Sequence, residues 1–494
     1  MIGMSAIGKE HRLSNYVGGK WMPSETREFL PVPNPATEEI LAEVPLSTKS
    51  EVDAAVRAAQ KAFAEWKEVP VTERVRMLFR FRELLVGQVD RLARLVTEEN
   101  GKTLSESAAE IWRGIEVVEF AIGMPELMKG EVTPQVSRGL DMEMVRYPVG
   151  VVAGITPFNF PVMIPLWMIP LALATGNTFI LKPSERTPLS AVRLMELAEE
   201  AGIPAGVLNL VHGGKETVDA LLRHPGINAV SFVGSQPVAE YVYKTAAAHG
   251  KRVQALAGAK NHHIVHADAN LAGAVRSVAS SAFGCAGQRC MAGSVVVVVE
   301  PIADRFVEML IEAADRIRVG NGLEADTEQG PLIRAEHREK VLQRIEQGLA
   351  EGAVMARDGR TIMKEMPKGY FLGPTILDRV RPEMTVAREE LFAPVLSVIR
   401  VKDLDEAIQV VNRSRYGNAA VIYTESGKVA RRFREEVQAG MLGINVGVPV
   451  PSAFYPFSGW KQSFYGDLHA NGKDAVEFYT RKKMVTSRWF GGEH

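Results

Sequence analysis

The 494-residue sequence predicts an α/β protein with two doubly wound parallel sheets and a small β arm. The first observation is an alternation of short apolar segments with helical patterns, which is typical of parallel sheets covered by helices. The second is that a new alternation of the same kind starts near residue 261. The third is a pair of segments, 130 to 147 and 475 to 489, with strand-like composition and no helical period.

Composition and charge narrow the classes of function. The chain has 58 basic and 59 acidic residues, a net charge of -1, and no basic tail that could release counterions from a nucleic acid. No uninterrupted apolar run is long enough to span a bilayer, and the first twelve residues lack the apolar core of a signal peptide. We therefore expect neither a nucleic acid nor a membrane as a partner.

The cysteine content points to a reducing compartment. Cys285 and Cys290 are the two cysteines of the sequence. Two cysteines cannot form a disulfide framework, and their spacing lacks the paired Cys and His pattern of a zinc site. A cytoplasmic location fits this content best.

The first half of the chain predicts hairpin-like strands between residues 15 and 45, followed by helices. Thr48 and Glu51 have the spacing of a capping box, and the apolar positions after them recur at helical intervals. Helices are predicted at 51 to 66, 72 to 86, 87 to 99 and 103 to 123. Strands of the first sheet are predicted at 151 to 155, 178 to 181, 207 to 211, 229 to 233 and 253 to 256.

A sheet of this kind binds nucleotides at the carboxyl ends of its strands. The usual G-x-G-x-x-G fingerprint of dinucleotide-binding folds occurs nowhere in the sequence, so the ordinary sequence signal is missing. The second half repeats the alternation, with strands at 295 to 299, 395 to 401, 419 to 423 and 441 to 446 and helices at 302 to 317, 335 to 351 and 404 to 413.

Cys290 is the predicted nucleophile. A helical pattern runs into a glycine-rich turn around Cys290, and five consecutive valines follow as a buried strand. Arg289 favours the thiolate electrostatically, and the small residues after Cys290 leave room for a substrate. For Cys285 a buried, inert role is the better interpretation, because nothing cationic surrounds it in the sequence.

Three histidines, His262, His263 and His266, invite comparison with a metal site. On a strand, the first and third would share one face while His263 faces the other. No carboxylate or cysteine ligand is close in sequence. We interpret these histidines as structural and expect no metal.

Over essentially its whole length the chain resembles the aldehyde dehydrogenases. The resemblance rests on separated motifs in the family's order: Thr156-Pro-Phe-Asn-Phe-Pro161, Lys182-Pro-Ser-Glu185, Phe232-Val-Gly-Ser235, Gly287-Gln-Arg-Cys290, Glu390-Leu-Phe-Ala-Pro394 and Gly443-Ile-Asn445. The resemblance implies that Asn159 and the Cys290 N–H stabilise an oxyanion at the thiol. A turn asparagine is the alternative for Asn159.

The resemblance also implies an NAD site. Lys182 and Glu185 match the residues that hold the adenosine ribose, and a carboxylate there repels a 2′-phosphate, which favours NAD over NADP. Gly234 and Ser235 match the turn that meets the pyrophosphate. Glu390 matches the residue at the nicotinamide ribose, although alone it would more often be a surface acid. The full set of implied cofactor residues is Thr156, Phe158, Lys182, Glu185, Gly214, Gly234, Ser235, Glu390 and Phe392.

One departure from the family pattern is informative. The family reads Glu-Leu-Gly-Gly-Lys where this sequence has Leu256-Ala-Gly-Ala-Lys260, so the glutamate that activates water is replaced by Leu256. Water, with a pKa of about 15.7, is a poor nucleophile without such a base or a metal. A thiol needs far less help, which points to acyl transfer from Cys290 to coenzyme A. The chain resembles the coenzyme A-acylating branch of methylmalonate-semialdehyde dehydrogenases.

Substrates of that branch carry a carboxylate beside the aldehyde. Arg113 and Arg289 match its carboxylate-binding arginines, and bidentate pairing suits this task. A solvated helix arginine is the alternative for Arg113. Two other functions stay open: a hydrolytic aldehyde dehydrogenase that uses another base, and a binding or structural protein that keeps the fold without catalysis.

The expected organisation has three parts. Residues 1 to 129 and 148 to 258 form an NAD-binding domain, and residues 259 to 460 form a catalytic domain. Residues 130 to 147 and 461 to 494 form an oligomerisation arm, because its strands have no obvious partners within one chain and a second chain can pair their backbone groups. The alternative is that both strands fold back onto their own chain. The resemblance implies a homotetramer built as a dimer of dimers.

Overall fold

The structure is a computed structural model that describes residues 11 to 489. The first ten residues, which hold most of the segment compared with signal peptides, and the last five residues of the predicted arm lie outside the described residues. Within the described range, two large sheets of eight and seven strands are flanked by helices, so the predicted α/β class is confirmed. None of the helices described is long and apolar enough to cross a membrane.

The bounds of the elements follow the predicted alternation closely. The strands are β1 Ser14–Val17, β2 Lys20–Pro23, β3 Phe29–Pro33, β4 Ile40–Pro45, β5 Glu131–Ser137, β6 Leu140–Pro148, β7 Val151–Ile155, β8 Thr178–Lys182, β9 Leu208–Leu210, β10 Ala229–Val233, β11 Arg252–Leu256, β12 Asn261–Val265, β13 Gly293–Val299, β14 Val354–Arg357, β15 Thr375–Asp378, β16 Val395–Val401, β17 Tyr416–Gly417, β18 Ala419–Tyr423, β19 Met441–Ile444, β20 Trp460–Lys461, β21 Phe464–Tyr465 and β22 Thr480–Arg488.

The α-helices cover both faces of the sheets. They are α1 Lys49–Trp66, α2 Val71–Val86, α3 Val89–Asn100, α4 Leu104–Ile122, α5 Met124–Leu127, α6 Met163–Ala174, α7 Leu189–Glu200, α8 Lys215–Arg223, α9 Gln236–Ala248, α10 Leu271–Phe283, α11 Glu300–Asp315, α12 Ala335–Ala350, α13 Ile362–Glu365, α14 Thr385–Arg388, α15 Leu404–Arg413, α16 Gly427–Glu436 and α17 Gly472–Tyr479. The capping box predicted at Thr48 and Glu51 is confirmed at the start of α1.

The first sheet has the order β2-β1-β9-β8-β7-β10-β11-β21. Five central strands run parallel, in the order β9-β8-β7-β10-β11. They are almost entirely buried, as expected for strands covered on both faces. Helix α6 lies under this sheet with every residue buried, and it packs against α2, α4 and α17. The loop that joins β7 to α6 holds Asn159, so a rigid layer supports that residue.

The second sheet has the order β14-β15-β16-β13-β12-β18-β19. Six of these strands are parallel, and β14 is antiparallel at one edge. The valine run forms the buried core of β13 at the centre of the sheet. Strand β15 was not predicted, because four residues carry too little of a periodic pattern to stand out.

The arm is a three-stranded antiparallel sheet in the order β22-β6-β5. Strand β22 pairs with β6 over a nine-residue register, from Thr480 opposite Pro148 to Arg488 opposite Leu140. The expectation that these segments lack partners within one chain is therefore wrong. Their hydrogen-bonding groups are satisfied along β6, whereas β5 and β22 remain edge strands.

The segment before β22 also differs from the prediction of a strand over 475 to 489. Residues 472 to 479 form α17, because Ala475, Val476, Phe478 and Tyr479 bury one face against the interior beside α6. Strand β21 joins the edge of the first sheet, next to β11. Residues 461 to 479, assigned to the arm from the sequence, therefore lie against the main body of the protein.

Candidate active site

A cleft of about 790 Å³ lies between the two sheets. The first sheet lines it with residues that follow the carboxyl ends of β7, β8, β10 and β11, as expected for a doubly wound sheet. The second sheet lines it with residues that precede β13 and β16, together with one face of α12. The cleft is thus shared by both halves of the chain.

The predicted cofactor residues all line this cleft. The structure brings together Thr156, Phe158, Lys182, Glu185, Gly214, Gly234, Ser235, Glu390 and Phe392, with Asn159 and Cys290 at the same surface. Phe158 and Phe392 contact each other edge to face, with ring centroids 5.8 Å apart. This contact connects the β7–α6 loop to the segment before β16.

The Cys290 loop has a defined backbone. Helix α10 ends at Phe283, and Cys285 and Ala286 then adopt left-handed φ angles of 51° and 50°. Such angles cost non-glycine residues roughly 1 to 3 kcal/mol each, so the surrounding contacts must hold the turn in place. The chain then reaches Cys290 just before β13, as the sequence predicted.

Two asparagine side chains hold the backbone of the predicted nucleophile. Asn261 Nδ2 donates to the Cys290 carbonyl at 2.8 Å and to the Ala292 carbonyl at 2.9 Å, and Asn418 Nδ2 donates to the Cys290 carbonyl at 3.0 Å. Both asparagines are buried. With this carbonyl fixed from two sides, the Cys290 side chain is held at the cleft.

The Cys290 side chain lines the cleft and is partly exposed, but the surroundings of its thiol disfavour the charged form. Burial, followed by the negative charge of Glu390, raises the pKa of Cys290 from 9.0 to about 12. The Cys290 and Met291 N–H groups and the charge of Arg289 act in the opposite direction without outweighing burial. Arg289 therefore favours the thiolate, as predicted, but burial outweighs it and keeps the pKa of the thiol above its ordinary value.

Cys285 occupies a different environment. It is buried in the turn after α10, and burial, followed by the charge of Glu106, raises the pKa of its thiol to about 12. It does not line the cleft. Its surroundings agree with the inert role expected from the sequence.

Asn159 is buried and directly joined to the Cys290 loop. Its Nδ2 donates to the Gln288 carbonyl at 3.0 Å, two residues before Cys290. Lys102 Nζ donates to the Asn159 carbonyl from the other side. The side-chain amide thus lies beside the thiol loop, where a donor for an oxyanion is required.

Lys182 and Glu185 form an ion pair at the carboxyl end of β8, with Lys182 Nζ 3.2 Å from Glu185 Oε2. Burial tends to raise the pKa of Glu185, but the charge of Lys182 and hydrogen bonds outweigh it and hold that pKa below its ordinary value. Glu185 is therefore an anion at neutral pH. A carboxylate beside an ammonium group suits two neighbouring sugar hydroxyls.

Glu390 lies at the other end of the cleft. Its Oε1 accepts a hydrogen bond from the Ala259 N–H at 2.9 Å, and a Cβ added at Gly258 would lie 2.4 Å from its Oε2. A side chain at Gly258 would exclude the carboxylate from this place. Burial raises the pKa of Glu390 to about 7, although the Ala259 N–H and the charge of Lys260 lower it.

The two predicted substrate arginines lie outside the cleft lining. Arg113 on α4 pairs with Glu116 at 2.9 Å and donates to the Val450 carbonyl at 3.2 Å. Arg289 donates to the carbonyls of Ser280 and Ser281 at the end of α10. Ser281 in turn donates to the Gly447 carbonyl, so both arginines border the segment from 447 to 450.

Several residues at the site were missed from the sequence. The asparagines that hold Cys290 stand 29 and 128 residues from it. Helix α12 adds a row of cationic and titratable side chains to the cleft wall, namely Arg334, His337, Lys340 and Arg344. The spacing of these side chains along one helix face could have predicted a functional surface from the sequence. No sequence pattern marks the two asparagines.

The histidines of β12 are structural in their contacts. His262 and His263 are buried, and burial lowers the pKa of His262 to about 4 and of His263 to about 3. His266 pairs with Asp268 at 2.6 Å. Among residues 11 to 489, no group of three or more His, Cys, Asp or Glu side chains could hold a metal ion.

Sequence comparison places the chain among known enzymes. The model of the aldehyde dehydrogenase family matches residues 21–485. Malonate-semialdehyde dehydrogenase 2 of Geobacillus thermodenitrificans is 62% identical over 96% of this chain and 99% of its own length. Malonate-semialdehyde dehydrogenase of Halalkalibacterium halodurans is 57% identical over 98% of this chain and 100% of its own.

Solved structures agree in fold. Methylmalonate-semialdehyde dehydrogenase from Oceanimonas doudoroffii is similar with a TM-score of 0.95 and 46% identity, covering 99% of both chains. A Sinorhizobium meliloti protein with the provisional name methylmalonate-semialdehyde dehydrogenase, solved with NAD, has a TM-score of 0.96 and 43% identity, covering 97% of this chain and 98% of its own. On fold, motifs and coverage, the chain belongs to the aldehyde dehydrogenase family.

Proposed function

We propose that this protein is an NAD-dependent, coenzyme A-acylating dehydrogenase of malonate semialdehyde or methylmalonate semialdehyde. The observation that carries the proposal is Leu256, a buried apolar residue at the carboxyl end of β11 where the family pattern has its water-activating glutamate. Without that base a thioester on Cys290 is hydrolysed slowly, and a thiol nucleophile is the effective acceptor.

The relatives support the substrate class. The curated relatives are named malonate-semialdehyde dehydrogenases, and the structural neighbours carry the name methylmalonate-semialdehyde dehydrogenase. Both aldehydes carry a carboxylate, Arg289 is adjacent to Cys290 in the sequence, and Arg113 donates to the Val450 carbonyl. Malonate semialdehyde is the smaller of the two substrates. It is also the substrate named for the relatives with the higher sequence identity, 57% and 62%, compared with 46% for the Oceanimonas doudoroffii enzyme.

The cleft fits NAD on structural grounds. Ser235 precedes α9 and, among the described residues, its side chain caps none of the free N–H groups at the start of this helix, which suits a diphosphate. Glu185 with Lys182 would hold the adenosine ribose, and Glu390 above Gly258 would hold the nicotinamide ribose. The carboxylate at Glu185 disfavours a 2′-phosphate and so NADP. NAD, when bound, accepts the hydride of the oxidation.

The chemistry starts at Cys290. The charge of Glu390 is one of the two contributions that raise the pKa of the thiol, so a group that screens this charge lowers that pKa and favours the thiolate. The thiolate attacks the aldehyde carbon and forms a thiohemiacetal. Asn159 Nδ2 and the Cys290 N–H are the donors for its oxyanion. Loss of hydride from that carbon leaves a thioester on Cys290.

The thioester is then consumed by a second substrate. The coenzyme A thiolate attacks the thioester carbonyl, the C–S bond to Cys290 breaks, and Cys290 leaves as a thiolate. The substrate carboxylate is lost as carbon dioxide or bicarbonate. Malonate semialdehyde, NAD and coenzyme A thus give acetyl-coenzyme A, NADH and carbon dioxide, and methylmalonate semialdehyde gives propionyl-coenzyme A.

The arginines have a testable role in this scheme. If Arg113 and Arg289 hold the substrate carboxylate, Arg→Leu at either position raises the KM for the semialdehyde acid roughly 10- to 100-fold, the range expected for a lost charge-assisted hydrogen bond. Propionaldehyde, which has no carboxylate, is the matched control. Equal losses on both aldehydes would contradict carboxylate binding and favour an effect through Cys290.

A hydrolytic aldehyde dehydrogenase is the second candidate function. The observation that favours it is Glu390, whose charge acts on Cys290 and whose pKa is raised to about 7, a value suited to a general base. Against it, Glu390 accepts the Ala259 N–H and matches the family's ribose-binding position. The two functions make opposite predictions about coenzyme A.

The deciding experiment is NADH formation with malonate semialdehyde, with and without coenzyme A. The acylating enzyme gives one burst of NADH per site without coenzyme A, followed by turnover at least about 10-fold slower than with it, because water replaces a thiol as nucleophile. Mass spectrometry of the product separates acetyl-coenzyme A from free acid. Steady turnover unaffected by coenzyme A would establish the hydrolytic function instead.

The arm supports an assembly as a homotetramer, a dimer of dimers. Strands β5 and β22 are edge strands, and exposed apolar side chains lie along the arm at Val132, Val136, Tyr147, Met484, Val485 and Trp489. Exposed edges with apolar residues suit pairing with a second copy. Light scattering on the intact protein should give four copies, and a chain ending at Tyr479 should give fewer. A monodisperse intact monomer would contradict this assembly.

The cellular location follows from the same reasoning about thiols. Cys285 and Cys290 are both free, and the proposed chemistry needs Cys290 reduced. A reducing cytoplasm provides this condition and also contains coenzyme A thiol. The protein is therefore proposed to act there.

A further inference from the structure

We propose that Lys102, just before α4, and Glu106 and Glu110, within α4, are positioning residues that set the oxyanion donor against the thiol loop. The inference rests on the roles proposed above for Asn159 and Cys290. Glu106 and Glu110 are four residues apart on α4, which places them on the same face of the helix. Lys102 lies two residues before α4 and joins this face through its ion pair with Glu110. None of them lines the cleft.

The first contact of this face is with the loop that holds Asn159. Lys102 and Glu110 form an ion pair of 2.6 Å with side chains that are 2% and 0% exposed. Lys102 Nζ also donates to the Asn159 carbonyl, and it lies 4.2 Å from the centre of the Phe160 ring. The ammonium group therefore contacts both the Asn159 backbone and the Phe160 ring in a place that water does not reach.

Glu110 holds the end of the same loop. Its Oε1 accepts hydrogen bonds from the N–H groups of Val162 and Met163, at 2.9 Å and 3.1 Å, where α6 begins. A carboxylate at a helix N-terminus is stabilised by the free N–H groups and the helix dipole. The loop is thus held at Asn159 itself by Lys102 and after Asn159 by Glu110.

Glu106 reaches the other loop. Its Oε1 accepts a hydrogen bond from the Cys285 N–H at 2.6 Å, and its Oε2 accepts one from the Thr103 N–H at 3.0 Å as part of the α4 capping box. Cys285 and Ala286 are the two residues with left-handed backbone after α10. Glu106 therefore holds the start of the strained turn that leads to Cys290.

These contacts form a closed circuit. Glu106 holds the Cys285 turn, which leads to Gln288. The Gln288 carbonyl accepts a hydrogen bond from Asn159 Nδ2 at 3.0 Å, and the Asn159 carbonyl accepts one from Lys102, just before α4. Two loops that are 129 residues apart in sequence are thus held against one rigid helix. A displacement of about 1 Å between donor and nucleophile can cost about 100-fold in rate, so such a frame has catalytic value.

The test uses a double substitution that leaves no unpaired buried charge. Lys102→Met with Glu110→Met removes both partners, a change that is often neutral for stability, whereas either one alone leaves a buried charge. We expect the rate of the single-turnover NADH burst to fall about 10- to 100-fold with the Kd for NAD unchanged. Arg193→Met with Glu196→Met, which removes a pair whose side chains are 12% and 11% exposed on α7, is the matched control.

The decisive measurement repeats the change in an Asn159→Ala background. If the pair acts through Asn159, its removal there costs less than about 2-fold, because the interaction that it positions is already gone. A purely structural role predicts the same loss in both backgrounds and would overturn the inference. A burst rate equal to wild type for the double variant would overturn it too. Asn159→Ala without any loss would instead contradict the proposed function.

A second pair of variants covers the case in which the double variant does not fold. Glu106→Gln keeps an acceptor for the Cys285 N–H, and Glu106→Met does not. The inference predicts a near wild-type burst rate for Glu106→Gln and a loss of about 10-fold for Glu106→Met. Equal rates for the two variants would contradict the role of Glu106.

Discussion

The two sheets face the cleft with opposite ends of their strands. Residues of the first sheet follow the carboxyl ends of β7, β8, β10 and β11, whereas residues of the second precede the amino ends of β13 and β16. At the carboxyl ends, helices begin, and their free N–H groups suit a phosphate-bearing ligand. At the amino ends, the chain arrives in irregular turns whose carbonyl groups need donors, and these turns carry the thiol and its supports.

This difference assigns separate tasks to the two sides. Changes on the first sheet should alter the affinity for NAD, and changes on the second should alter the rate of the chemical step. The following substitutions test that division.

Cys290→Ala has the largest expected effect. Without the nucleophile no thiohemiacetal forms, so the rate of NADH formation should fall at least about 10³-fold. The Kd for NAD, measured by calorimetry, should change less than about 2-fold, because the first sheet is untouched. NAD reduction that survives in this variant would show that Cys290 is not the nucleophile.

Glu185→Ala tests the first sheet. Removing a charged hydrogen-bonding group at the ribose should raise the Kd for NAD by roughly 10-fold or more, with little change in kcat at saturating NAD. The preference for NAD over NADP should shrink at the same time, because the repulsive carboxylate is gone. A fall in kcat with an unchanged Kd would contradict the division of tasks.

Asn418→Ala tests a support on the second sheet. Asn261 still donates to the Cys290 carbonyl, so the loss is one neutral hydrogen bond, and kcat should fall by roughly 2- to 10-fold. Asn412→Ala offers a comparison, since Asn412 bonds the Glu436 carbonyl at the protein surface. The affinity for NAD should remain that of the wild type in both variants.

Glu390→Gln has the smallest expected effect, on stability rather than on rate. The pKa of Glu390 is raised from 4.5 to about 7 in the folded protein. As pH rises from 4.5 to 7, the unfolded state loses a proton that the folded state keeps, so the wild-type apoprotein loses stability over that window. The Tm of Glu390→Gln relative to wild type should therefore rise by roughly 3 °C between pH 4.5 and pH 8.

Calorimetric scans of the two apoproteins at pH 4.5, 6 and 8 check this prediction. A Tm difference that is constant with pH would mean that Glu390 keeps an ordinary pKa. Glu390 would then be ionised throughout the neutral range, which would contradict the raised pKa described above.

The sequence alone predicted the parts of this molecule that have local signals. The capping box at Thr48, the valine run of β13 and the alternating pattern of the first sheet all depend on neighbours within a few residues. The resemblance to a family then supplied the motif residues that line the cleft. Their individual roles remain predictions for the experiments above.

Long-range side-chain contacts carried no such signal. Nothing near Asn418 in the sequence indicates that it donates to the Cys290 carbonyl. Likewise, the capping-box spacing of Glu106 does not predict that it also accepts a hydrogen bond from the Cys285 N–H. The tail was misinterpreted for a similar reason. Its aromatic and β-branched residues resemble a strand, but burial beside α6 stabilises a helix over 472 to 479.

The position of that tail has a consequence for the order of folding during synthesis. The first sheet has β21 at its edge, α17 packs on the buried helix α6, and the Phe478 and Tyr479 carbonyls accept hydrogen bonds from Arg252 and Asn177. Phe478 and Tyr479 are synthesised more than 200 residues after Asn177 and Arg252, the residues at the first sheet that they bond. The amino-terminal half must therefore stay incomplete on the ribosome, with part of α6 uncovered, until nearly the whole chain has been translated.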